Sequence, residues 1–123
     1  MLYVCPECDL GAMEVVGSLE LPPDNWWDEI ALQALACQRC GFRGLAVYEE
    51  SRRGALGSEA VNHRGHRVAA ETVTAFVEGV VQCPAPRDRA CACVTHEEWG
   101  SSDPSGRWVG VPGSTGTFPL RLA

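Results

Sequence analysis

The alternation of apolar and polar positions is clearest over residues 42–50 (FRGLAVYEE). Leu45, Val47 and Glu49 fall there on one face, which predicts a β-strand. Residues 13–20 (MEVVGSLE) predict a second strand, interrupted at Gly17. Leu21-Pro22-Pro23-Asp24-Asn25 then breaks the chain. Two signals compete in the stretch that follows. Asp24 with Asp28-Glu29 reads as the start of a helix, whereas Ile30, Leu32, Ala34 and Ala36 alternate as in a strand. The strand, from about Glu29, is the expectation, and with the other two it makes a three-stranded antiparallel sheet. Met1 to Val4 is read as a short strand entering the first Cys pair.

Further along, the period changes. Residues 51–67 show none and read as a loop rich in Arg. Over 68–81, Ala69, Val73, Phe76, Val77 and Val80 form one stripe at helical spacing, and Pro84 stops the helix. Residues 100–123 are rich in Gly, Ser, Thr and Pro. They read as a tail wrapped around the outside, held by the apolar islands Trp108-Val109 and Phe118-Pro119-Leu120. The organisation expected is therefore 1–50, 51–67, 68–99 and 100–123.

Length and charge narrow the classes. A chain of 123 residues with 46% apolar and 21% charged residues makes one globular domain, with room for a small satellite lobe. A formal charge of −6 argues against a general polyanion binder. No apolar run reaches the roughly 18 residues a membrane span requires. The opening MLYVCPEC has neither the basic nor the apolar region of a secretory signal, so a cytoplasmic setting is expected.

Seven Cys change the picture most. In a reducing compartment they point to metal rather than to disulfides. Cys5-Pro-Glu-Cys8 and Cys37-Gln-Arg-Cys40 are two C-x2-C units, each able to aim two thiolates at one ion; together they complete a tetrahedron. Gly41 follows the second pair, where such a knuckle needs a residue that tolerates positive φ. CPEC at 5–8 and CQRCGF at 37–42 resemble the knuckles of a zinc ribbon, a likeness covering residues 1–50. Rubredoxin, an iron electron carrier with similar pair spacing, is the competitor. The aromatic residue expected after its first knuckle is missing here.

Cys83, Cys91, Cys93 and His96 read C-x7-C-x-C-x2-H, a complete donor set for a second, Cys3His zinc. The alternative is three thiols beside a surface His. Two filled sites, of −2 and −1, would take the chain from −6 to about −9. The expected class is thus α+β: a small antiparallel zinc-ribbon sheet, one helix, a second Cys3His knot and a Gly/Ser-rich tail, with two Zn2+ ions.

Candidate binding residues lie elsewhere. Arg52, Arg53, Arg64 and Arg67 fall close together with His63 and His66, a pattern suited to phosphate if the loop is free. The competing reading pairs them with Glu49, Glu50 and Glu59. His63 and His66 also make an H-x2-H spacing. Trp26 and Trp27 are neighbours, so one can enter a core and leave the other as an anchor for a base or a partner protein. The function expected is a zinc-stabilised recognition module for a partner protein or nucleic acid, with no catalysis. A small metal-dependent hydrolase, an iron-based electron carrier and a structural subunit of a larger assembly are the alternatives. The hydrolase would need His96 off the metal, with Glu97 or Glu98 as base.

Overall fold

The computed structural model describes residues 1–52 and 60–123. The elements run β1 (Met13–Leu21), β2 (Glu29–Cys37), β3 (Arg43–Ser51), β4 (Ala60–Arg67), α1 (Ala70–Gln82), α2 (Val94–Trp99) and β5 (Gly116–Pro119). The strands form one antiparallel sheet in the order β1-β2-β3-β4-β5. No helix of the described residues is long and apolar enough to cross a membrane.

Two apolar clusters occupy the two faces. On one, Leu19, Leu21, Ile30, Leu32, Leu45 and Val47 pack against Val73 and Phe76 of α1 and Trp99 of α2. The Phe76 and Trp99 rings meet edge to face with centroids 5.2 Å apart. On the other, Tyr3, Met13, Leu35, Ala46 and Phe118 surround Cys5 and Cys37. The interior strand β2 serves both faces, which explains its nearly unbroken apolar run, EIALQALAC.

β1 reaches both clusters by a different device. Met13, Val15, Leu19 and Leu21 are all odd-numbered and would share one face of a regular strand. A bulge between Val15 and Gly17 inserts one residue and reverses the parity. Met13 and Val15 therefore join the cluster around Tyr3, whereas Leu19 and Leu21 face the helices.

The ends of the chain link β5 back to β1. Tyr3 bridges to Met13 on one side and to Leu122 on the other, and Ala123 N–H donates to Leu2 O at 2.9 Å. Near Met13 the sheet is thus closed into a ring of strands, and no long edge is left unpaired there.

The structure corrects three expectations. Residues 60–67 are not a loop but β4, which takes its register from β3, pairing Leu45 with His66 and Ser51 with Ala60. Its sequence, AVNHRGHR, has little strand propensity; pairing with neighbours on both sides decides it. The tail does more than wrap the outside, because Phe118 of β5 lies across from Gly65 and is buried. A Cβ on Gly65 would run into the Phe118 ring, so the aromatic occupies the space the glycine leaves. The sheet accordingly has five strands, not three. The short helix α2, within the second Cys group, had no period to announce it. The helix expected over 68–81 is α1, with Val73 and Phe76 buried and Cys83 as its C-cap.

Candidate metal centres

Site 1 gathers Cys5, Cys8, Cys37 and Cys40, whose sulfur atoms all lie within 4.8 Å of one another. Cys5 is 3.6 Å from Cys40, and Cys8 is 3.7 Å from Cys37. An ion with bonds of about 2.3 Å to sulfur would space tetrahedral ligands about 3.8 Å apart, the spacing these two pairs already have. The two knuckles are built alike. Asp9 N–H donates to Cys5 O at 3.0 Å, and Gly41 N–H donates to Cys37 O at 3.3 Å. Both residues are left-handed, Asp9 at φ 60° and Gly41 at φ 78°. Asp9 thus takes a backbone form that glycine adopts more cheaply. Amide N–H groups of Glu7 and Arg39 point at Cys5 and Cys37, each at 3.4 Å.

Hydrogen bonding separates the thiols in the metal-free chain. N–H groups of Cys40 and Arg39 bring Cys37 down to about 6 against burial. Cys40 receives the Phe42 N–H, but burial and the other thiols carry it up to about 12. A cluster that shares its protons so unevenly is one in which several negative sulfurs are crowded together, a demand a divalent cation meets.

Site 2 gathers Cys83, Cys91, Cys93 and His96, again within 4.8 Å. α1 delivers Cys83 at its C-terminus. Cys93 caps α2, accepting the His96 N–H at 3.4 Å, and α2 places His96 one turn later. His96 Nδ1 is 3.4 Å from Cys83 Sγ and 3.2 Å from Cys93 Sγ. Cys93 is 3.4 Å from Cys83, and Cys91 lies farther out, 4.0 Å from Cys83. The His96 side chain lowers Cys93 to about 6, whereas burial raises Cys83 to about 11.

The other imidazole nitrogen settles the donor. His96 Nε2 lies 3.0 Å from Glu20 O, a carbonyl that can only accept. Nε2 therefore donates to that carbonyl, which leaves Nδ1 as the nitrogen that would bind an ion among the thiols. His96 is also buried, so it is not a surface His beside thiols.

The remaining candidate residues are dispersed. Arg52 pairs with Glu29 at 2.9 Å and with Glu50 at 3.2 Å. Arg67 pairs with Glu7, and its guanidinium lies over both Phe42 and Phe118. Arg64 is exposed on β4. Arg53 lies outside the described residues, as does Glu59. His63 and His66 are three apart on a strand and face opposite sides, so they do not converge on one ion. His63 instead touches Gln33 at 2.7 Å and lies edge-on between Tyr3 and Tyr48.

Trp26 and Trp27 sit in the turn between β1 and β2, not on a strand. Asp24 Oδ1 accepts both their N–H groups at 2.8 Å, while Oδ2 accepts the Trp108 N–H at 2.9 Å. Trp27 packs against the main core and Trp26 is 60% exposed. Arg107, which sequence reasoning passed over, stacks its guanidinium 4.4 Å from the Trp26 ring centroid. Nothing short of the fold links positions 26 and 107.

No family model, curated protein or solved structure matches this chain.

Proposed function

We propose that this protein is a zinc-stabilised recognition module with no catalysis of its own. The observation behind this reading is that each metal centre is a full set of four donors. A set of four thiolates and a set of three thiolates with one imidazole each hold zinc tetrahedrally and leave no position for substrate or water. The His96 tautomer argues in particular against the hydrolase alternative, which needed that ligand free. Thiolate with imidazole, in a tetrahedral arrangement, suits zinc better than the iron of an electron carrier.

The partner is best read as another protein. Arg52 and Arg67 are already engaged by carboxylates of this chain. A chain of −6, more negative when loaded, repels polyanions. Trp26, held rigidly through Asp24 and stacked by Arg107, has the character of an interface anchor, since Trp and Arg dominate binding energy at such sites.

Elemental analysis with native mass tests the metal half of this reading. Two zinc ions in a colourless protein are expected; iron, or a red colour, overturns it. The recognition half is tested with the Trp26→Ala variant. It should keep both ions and the parent melting temperature yet lose a partner that co-purifies with the parent. Binding of a single-stranded oligonucleotide at low salt, equal in parent and variant, would overturn the choice of partner and of surface.

A further inference from the structure

Two clefts share Arg89, on the loop between α1 and α2. The first, of about 540 Å³, is lined by the loop residues Arg87, Asp88 and Arg89 and by the strand residues Glu20, Leu21 and Glu29. The second, of about 620 Å³, has Pro22, Ala90 and Ala92 in its walls. One cleft is therefore charged, with both signs present, and its neighbour across Arg89 is mainly apolar.

The walls of the charged cleft are fixed by the backbone. Glu20 N–H donates to Pro86 O at 2.8 Å, and Asp88 N–H to Ala85 O at 3.0 Å. Two of its carboxylates are engaged by this chain: Asp88 Oδ1 accepts the Ala90 N–H at 2.9 Å, and Glu29 pairs with Arg52 at 2.9 Å. Arg89 Nη1 donates to Asp28 O at 3.1 Å, which uses one of its five donors. Glu20 is half-buried, and Arg87 and Arg89 act on its carboxylate through charge, as does Glu29 with the opposite effect. A simple cation placed here would meet two guanidinium groups, and a simple anion would meet Glu20 and Glu29. A ligand carrying both charges answers both.

We propose that the two clefts form one binding site for a free α-amino acid with an apolar side chain. Its ammonium group is met by Glu20, with Glu29 adding to the attraction. Its carboxylate is met by Arg87 and Arg89, whose planar donor forks suit that group. Its side chain passes Arg89 and lies against Pro22, Ala90 and Ala92, the apolar part that such a site requires. No bond is made or broken. The site goes beyond the recognition reading, since it gives the protein a small-molecule ligand and needs no partner at Trp26.

The experiment is an amide NMR titration of the full, zinc-loaded chain with L-leucine, with native mass on the same sample. Amides of residues 20–22 and 87–92 should shift together and saturate, with a Kd of about 1 mM or tighter. Leucinamide lacks the carboxylate, N-acetylleucine lacks the cation and glycine lacks the side chain. Each should bind at least about tenfold more weakly. Glu20→Gln keeps the backbone carbonyl that holds His96, so it should retain both ions yet lose the saturable shifts; Arg87→Gln should do the same. A chain with two bound ions that shows no shifts at about 10 mM L-leucine overturns this proposal and leaves the recognition reading standing. Equal binding of L-leucine and leucinamide, or shifts that survive Glu20→Gln, also overturns it. Loss of a protein partner in the Trp26→Ala variant bears on the recognition reading alone.

Discussion

Glu20 and His96, 76 residues apart, are joined through a single backbone carbonyl, and the Glu20 N–H is claimed by the same loop, donating to Pro86 O at 2.8 Å. The outward-facing peptide groups of an edge strand are thus both bound by the segment that carries site 2. The Cys3His group and the edge of the sheet stabilise each other: the carbonyl fixes the imidazole, and the loop covers the strand.

Replacing His96 by Ala removes both the donor and this link. Native mass should show one zinc in place of two. The ion that remains should be in site 1, so Cys5, Cys8, Cys37 and Cys40 should stay protected from alkylation. The β1 amides near Glu20 should exchange faster with solvent, and those near Met13 should not.

Asp24 is a buried carboxylate with three backbone N–H donors and Arg107 at 3.8 Å. Burial opposes its charge, but these hydrogen bonds win and hold the carboxyl below the ordinary Asp range. Its folded value lies below its unfolded one, so the stabilisation is present at neutral pH and lost as pH falls through the folded value. Asp24→Ala should cost about 2–3 kcal/mol at pH 7 by denaturant unfolding, and less at acid pH.

His63 and His66 act in the same direction at higher pH, through burial that opposes the charged form. Burial lowers both, with Arg64 adding to the effect at His66. The unfolded chain therefore takes up their protons first, and stability falls as pH drops through the usual histidine range. The melting temperature should decline from pH 8 to pH 6, and His63→Gln should flatten the slope. An unchanged slope would remove His63 from the account.

Gly65→Ala places a methyl group against the Phe118 ring. The cost should be about 1–3 kcal/mol, measured by denaturant unfolding. The double variant Gly65→Ala with Phe118→Leu should recover part of it, because the smaller side chain vacates the space.

The two metal sets could be read from the chain because ligand spacing is local chemistry: a C-x2-C turn aims two sulfurs wherever it occurs. The first three strands were legible for a similar reason, since Leu45 and Val47, or Ile30 and Leu32, declare a face. β4 was not. Its His63, Arg64 and His66 side chains resemble a loop, and only the partners on either side make it a strand. Asp24 misleads in a more instructive way. It carries the signal of a helix cap, and its carboxylate does accept backbone N–H groups, but those of a turn and of Trp108, 84 residues away. The Arg52–Glu50 pair was among the partners the sequence offered, whereas Glu29 and Glu7, which pair with Arg52 and Arg67, come from distant segments that local pattern could not link.

The bulge at Val16 makes one strand the shared wall of two separate interiors, each bordered by its own set of four candidate metal donors. Such an arrangement divides the molecule into two cooperative units. Removing one metal should melt its own half in a first transition, leaving the other half to melt later, so calorimetry of the singly loaded protein should resolve two peaks. Deleting Val16 would turn Met13 and Val15, or Leu19 and Leu21, to the wrong side. Neither interior could then be filled from β1 without emptying the other.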